Sequence, residues 1–559
     1  MLARRLLTAR FIQCLPIALL AATAPTAPIT FDEIADRAGV HFVSDSGPTP
    51  QKHQPEAMVG GVAIFDFDGD GYPDLYFVNG ADMPSLEKTG PQYKNRLFRN
   101  NHDLTFTDVT DKAGVAGSGY GMGVAVGDYD NDGHPDLFVT SVNGNQLFHN
   151  NGDGTFTDVT AKAGVSGGVF AGKKMWSVGA AWVDYNNDGL LDLFVADYCQ
   201  WDPDHETPCA LNGTRVFCNP RMYKPLPNTL YRNNGDGTFT DVSVETGIAA
   251  HPGRGMGVAI ADFDGDGFPD IFVANDDLPN QLFHNIGGKR FEEVADEAGV
   301  SLTEGGNVIS GMGVDFRDLF NRGLPDLWIT AIEKQTFPLF KNLGHGQFAD
   351  ATAMAGLGLA TAEMSGWSNA MVDLDNDGWK DLYVARSNVL DNVALFTQRP
   401  YEESNTVFRN LGTGKFEDVT STTGPAFQAP AVNRGAAFGD LDNDGRMDLV
   451  VNVLNGKPKV FHNTTRNANH WVLLKLTGVK SNRMGIGAQI RVTAENGSMQ
   501  YNHVTTSTGY ASASDARVPF GMGASRVAKE IQIKWPSGRM QVLRDVAVDR
   551  VVEISEPSR

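Results

Sequence analysis

The chain has 559 residues, 62 of them glycine, 9% aromatic side chains and a formal net charge of −21. That length leaves room for more than one domain and a sizeable core, and the glycine content with many short apolar runs favours strands over helices. Nucleic acid is excluded as a partner, because phosphate affinity comes from clustered lysine and arginine and no basic stripe is present.

Residues 1–27 read as a secretory signal peptide. Arg4, Arg5 and Arg10 form the charged region, Phe11 to Leu20 the apolar one, and Ala21 to Ala27 a small-residue exit. The apolar run is too short to span a bilayer, and no other candidate follows. The mature chain is therefore expected to be secreted or periplasmic, with no membrane span. Next comes Phe31-Asp-Glu-Ile-Ala35, a lone strand beginning with Phe.

An acidic motif then recurs. Its intact copies carry Asp66, Asp68, Asp70 and Asp74; Asp128, Asp130, Asp132 and Asp136; Asp184, Asn186, Asp188 and Asp192; Asp262, Asp264, Asp266 and Asp270; Asp373, Asp375, Asp377 and Asp381; and Asp440, Asp442, Asp444 and Asp448. Carboxylates so close repel one another unless a cation lies between them. Oxygen ligands at positions 1, 3, 5 and 9, with a glycine at 6 to turn the chain, suit Ca²⁺. An apolar β-type run such as Ile271-Phe-Val-Ala274 follows in place of the EF-hand helix, so these are strand–loop–strand sites. About six structural Ca²⁺ ions would bring the net charge from −21 to −9, so the acidity reads as metal ligation. A further copy, Asp318 to Asp326, has Phe320 and Arg322 at positions 3 and 5. It is expected to hold no ion, the Arg322 guanidinium standing in the cation's place.

Two other marks travel with each loop. One is a strand ending in Phe/Tyr-x-Asn: Asn100, Asn150, Asn233, Asn285, Asn342, Asn410 and Asn463 close the seven copies. The other is a strand led by Phe, as in Phe156-Thr-Asp-Val-Thr160, reached through a turn such as Asn151-Gly-Asp-Gly154. With a Gly-rich first strand (Gly255 to Ala261), each unit has four strands. Successive loops start 62, 56, 78, 56, 55 and 67 residues apart. Seven four-stranded units predict an all-β, seven-bladed β-propeller over residues 29–464. The last unit lacks its Phe-led strand and the chain start has one to spare, so the N-terminal strand is expected to close the ring.

Acidic loops and hairpins then share one face. The long connections Asn79 to Asn95, Asp197 to Asn228 and Ser387 to Thr406 share the other, where recognition is expected. The second of these holds Cys199, Cys209 and Cys218; Cys209 with Cys218 is the first choice of disulfide, with Cys199 as the alternative partner. Near the axis on that face the inner strands place Arg254, Arg434, Trp176 and Trp367, with Lys174 and Glu363 just before them. They are the candidate residues for an extracellular protein or glycan ligand, set against the plainer reading that the aromatic and methionine side chains pack the channel.

Beyond Asn463 the repeat stops, and residues 469–556 form strands of their own, read as a small β-sandwich. Here the sequence resembles known families. The acidic repeats resemble FG-GAP/VCBS repeats. Asn482-Arg-Met-Gly-Ile-Gly-Ala488, Gly509-Tyr510, Phe520-Gly-Met-Gly523 and Trp535-Pro-Ser-Gly-Arg539 resemble the ASPIC/UnbV domain. The two together are the layout of the cartilage-acidic-protein-like family. The resemblance implies an extracellular calcium-binding protein of adhesion or recognition, with metal ligands at the six intact loops. A propeller-based polysaccharide lyase or hydrolase and a structural cell-envelope protein are the alternatives. His53, Glu56, Lys174, His251 and Glu363 could serve acid–base chemistry, yet nothing in their spacing links them, so no enzymatic activity is expected.

Overall fold

The computed structural model describes residues 27–170 and 172–558. Nearly all of the signal-peptide segment lies outside the described residues. Among those described, no helix is long and apolar enough to cross a membrane. The fold is all-β, with helix confined to short turns such as Thr110–Ala113.

Before residue 469, seven antiparallel four-strand units occur among the described residues, the first of them extended to six strands by Ser507–Thr508 and Ser512–Ala513. In the unit of the fourth acidic loop the strands are Gly255–Ala261, Asp270–Asn275, Gln281–Ile286 and Arg290–Glu293, in that order across the sheet. The first strand of each unit contacts the first strand of the next, and Asn433–Gly439 in the seventh returns to Val62–Phe65 in the first. The N-terminal strand Phe31–Glu33 pairs with Lys459–Asn463, Phe31 opposite Asn463, and so supplies the fourth strand of the seventh unit.

The inner strands are rich in glycine because they approach one another too closely for a side chain. A Cβ on Gly179 would lie 2.5 Å from the Met256 carbonyl oxygen, one on Gly257 2.5 Å from that of Met312, and one on Gly313 2.4 Å from that of Trp367. Between the sheets lie apolar layers, for example Phe194, Val258, Ile271, Phe283 and Phe291.

Residues after 469 form a three-stranded sheet, Val518–Gly523, His470–Thr477 and Arg550–Ser555, and a four-stranded sheet, Met499–His503, Gln489–Ala494, Val527–Lys534 and Met540–Ala547. Leu474, Ile490, Ile531, Phe520 and Trp535 pack between them, in one cluster with Tyr129 and Trp182 of the repeats. The tail is thus no detached module. It sits on the acidic-loop face, and a hairpin from it runs into the channel lined by the inner strands. Ser512–Ala513 lies parallel to Val62–Phe65, Ala63 opposite Ala513. Thr506 Oγ1 donates to the Val126 carbonyl at 2.8 Å, Gly509 bridges Val314, and the Phe438 amide donates to Ser514 Oγ at 3.1 Å.

Candidate metal loops and the closed axis

Each acidic loop begins at the end of an inner strand and returns on the second strand. The glycine at position 6 has positive φ in all seven copies, from 76° at Gly323 to 99° at Gly267, a conformation that costs other residues energy. The carboxylate at position 1 accepts from that glycine's amide, as Asp128 does from Gly133 at 2.9 Å and Asp440 from Gly445 at 2.8 Å.

Position 9 carries framework hydrogen bonds. Asp136 Oδ2 accepts from the Tyr129 amide at 3.1 Å and its Oδ1 from the Asn150 amide at 2.8 Å. The Asn150 side chain in turn donates to the Phe67 carbonyl, in the loop of the preceding unit, at 2.8 Å. The same clasp repeats at Asn100–Leu441, Asn233–Tyr129, Asn285–Tyr185, Asn342–Phe263, Asn410–Leu319 and Asn463–Leu374. It ties each unit to its neighbour around the ring. Asp74, Asp136, Asp192, Asp270, Asp381 and Asp448 are therefore framework acceptors first. The fifth loop keeps Asp326 and Asn342 in the same geometry, Asp326 Oδ1 accepting from the Asn342 amide at 2.9 Å.

Positions 3 and 5 carry the remaining acidity. Ligand oxygens of Asp66, Asp68 and Asp70, and of Asp128, Asp130 and Asp132, lie within 4.8 Å of one another. At position 3, Asp68 Oδ1, Asp375 Oδ1 and Asp442 Oδ1 are buried without a hydrogen-bond partner, an expensive state for a carboxylate oxygen unless a cation meets it. Burial above all, with neighbouring carboxylates, pushes Asp128 and Asp184 up to about 7 and Asp440 to about 8. This donor set of clustered, partly orphaned oxygens fits a hard divalent cation. In the third loop Asn186 donates to Asp188 at 2.9 Å.

The variable residue of Phe/Tyr-x-Asn, which the sequence reading passed over, faces its own loop in several units. It is His149 beside Asp130 and Asp136, His284 beside Asp264 and Asp270, and His462 beside Asp442 and Asp444. Arg99 Nε lies 2.6 Å from Asp68, and Arg409 Nη2 3.0 Å from Asp375. The signal was present in the sequence, since all seven copies carry Arg, His or Lys there. In the fifth loop Arg322 Nη2 lies 2.6 Å from Asp326 Oδ1 and Nη1 donates to the Asn342 carbonyl at 2.7 Å.

The expected mouth on the opposite face is closed. Trp176, Trp367 and Arg434 are buried, and Arg254 nearly so. The Arg434 guanidinium stacks 3.8 Å from the Trp367 ring centroid and donates to the Ala57 carbonyl at 2.9 Å. Tyr510, at the tip of the tail hairpin, packs edge-on against Trp367 and donates to the Met58 carbonyl at 2.6 Å. The closure has a physical cause: the tail fills the channel from one side, and Trp201 and Phe217 of the cysteine-bearing insertion join the same cluster from the other. Glu363 is exposed but paired with Arg399. Lys174 is exposed too, donates to the Asn143 carbonyl at 3.1 Å, and lines a shallow polar depression of about 450 Å³. The six residues do not converge on one site.

Cys209 and Cys218 form a disulfide, and Cys199 is buried and free. Among the acid–base candidates, His53 pairs with buried Glu206, which also accepts from Tyr223. Glu56 accepts from the Thr49 amide at 3.0 Å.

The sequence matches the FG-GAP-like repeat family over residues 66–139, 128–195, 216–273, 262–329 and 390–451, more than half of the chain. The chain belongs to the FG-GAP-like repeat family. Its tail matches the ASPIC and UnbV domain over residues 478–559. It is similar to cartilage acidic protein 1 of Mus musculus (24% identity, 92% of this chain and 74% of that protein) and of Homo sapiens (24%, 92% and 73%). Among solved structures, it resembles an Agrocybe aegerita lectin described as recognising non-reducing terminal N-acetylglucosamine. There the TM-score is 0.40 at 16% identity, over 71% of this chain and 86% of that one. Three of the five segments contain two consecutive acidic loops, as in Asp128–Asp136 with Asp184–Asp192.

Proposed function

We propose that this FG-GAP-repeat protein is an exported recognition or adhesion module: a seven-bladed β-propeller stiffened by about six structural Ca²⁺ ions and locked to a C-terminal β-sandwich. The carrying observation is the set of orphaned position-3 oxygens, Asp68, Asp375 and Asp442, beside clustered position-5 carboxylates. In the six intact loops positions 1, 3 and 5 would hold the ion, with position 9 contributing a lone pair left over from its framework bonds. Bound calcium would supply the charge that lets these buried acids ionise together. The role is structural, because the loops are stapled to one another around the ring through the Asn clasps.

Export is supported by the Arg4-to-Ala27 pattern and by the Cys209–Cys218 disulfide, which suits an oxidising compartment. The reading is of binding rather than turnover, since His53, held by Glu206, and Glu363, paired with Arg399, do not converge on one site. A protein that gains its charge balance from bound ions is stabilised by mass action. Thermal unfolding in calcium and in excess EDTA tests this: the midpoint falls markedly on chelation, and superimposable curves would refute it.

A further inference from the structure

A cavity of about 670 Å³ lies away from the closed axis, between the tail and the loops of the fourth and fifth units. That size is within the ordinary range for small-ligand sites. One wall is the tail's four-stranded sheet, which presents Tyr501, Gln532 and Lys534; the other presents Phe268 and Leu324 from the two loops. Its ends are tied, since Gln489 donates to Asp262 at 2.7 Å and the Tyr501 ring covers Gly323.

Few protein partners hold these side chains: the Tyr501 hydroxyl meets Met499 Sδ at 3.9 Å. Gln532 makes no side-chain hydrogen bond among the described residues, and Lys534 has only Asp262 at 3.8 Å. A half-buried amide offering both donor and acceptor, an ammonium and a phenol, set around apolar surface, asks for a ligand with the same dual character. A sugar ring has it: C–H faces that lie on aromatic and aliphatic side chains, and a rim of hydroxyls that donate and accept. We infer that this cleft between the tail sheet and the fourth and fifth loops is a binding site for a short saccharide, with Gln532, Lys534 and Tyr501 as its polar contacts. This deepens the recognition reading and rests on it, moving the site from the insertion-bearing face to the acidic-loop face.

The test is titration of the calcium-saturated full chain with cellobiose, N,N′-diacetylchitobiose and digalacturonate, each followed by saturation-transfer NMR. Hydrogen exchange then locates any binding. Saturable binding of at least one disaccharide is expected, with protection in the strands Met499–His503 and Val527–Lys534. Gln532→Ala and Tyr501→Ala should each weaken it by about tenfold, the loss of one good contact. Gln532 and Tyr501 are partly exposed on the sheet, so both variants should fold, and unchanged calcium content confirms it. Binding of none of the three, or affinity untouched in both variants, overturns the cleft. Protection confined to 197–228 also overturns it while leaving the recognition reading standing. Loss of calcium stoichiometry in the wild type would instead strike at that reading.

Discussion

Arg322 Nη2 stands 2.6 Å from Asp326 Oδ1, inside an acidic loop whose third position is Phe320. The loop keeps the turn, the clasp and the first and ninth acids, and puts a guanidinium where the proposed cation would sit. Replacing both residues, Phe320→Asp with Arg322→Asp, should restore the motif. The expected outcome is one additional Ca²⁺ per molecule by elemental analysis, with no change in the wild-type sites. Unchanged stoichiometry in a folded double variant would show that a carboxylate set alone does not make these loops metal sites.

Framework and ligand acids should separate by mutation. Asn285→Ala removes the donors to the Tyr185 and Pro269 carbonyls. Leaving buried carbonyls unpaired costs roughly 1–3 kcal/mol, and this loss should persist in EDTA. Asp264→Ala should lower stability only when calcium is present, with one ion lost. Equal destabilisation of both variants in EDTA would contradict the division of roles.

Much of this architecture was legible in the sequence because it is written seven times. The acidic loop, Phe/Tyr-x-Asn and the Phe-led strand each recur, and the odd strand at Phe31 showed how the last sheet is completed. The closed axis was not legible. Tyr510 meets Met58 and Trp367 across hundreds of residues, with no local periodicity to announce it, so inner-strand Arg434 and Trp176 read equally well as mouth or as core. The clasp was hidden for another reason: Asp at position 9 suits a metal as well as an amide. Only the fifth copy, which retains Asp326 and Asn342 without its ligands, separates the two.

pH should act in opposite directions on the two forms. In the chelated protein burial pushes Asp136 and Asp270 up to about 7 and Asp440 to about 8, against about 3.9 when unfolded. Between about pH 4 and 7 the folded state then binds more protons than the unfolded one, so its stability falls as pH rises. Bound calcium would displace those protons, so its affinity should drop as pH is lowered below 7. Melting in EDTA at pH 5 and pH 8 checks the sign: the higher midpoint is expected at pH 5. A higher midpoint at pH 8 would mean these acids are not held protonated.

The tail hairpin should act as an axle. Tyr510 is fully buried, and removing a buried aromatic side chain costs roughly 3–5 kcal/mol. Tyr510→Ala should lower a single unfolding transition shared by repeats and tail in calorimetry. Two separate transitions in the wild type, with only the smaller one moved, would show the tail to be an independent passenger.

The most direct measurement is metal content. Protein equilibrated with calcium, gel-filtered and analysed by elemental mass spectrometry should carry about six ions per chain, one for each intact acidic loop. The Asp264→Ala and Asp442→Ala variants should each carry one fewer. A wild-type value near zero, or variants indistinguishable from it, would contradict calcium as the element that lets these loops close.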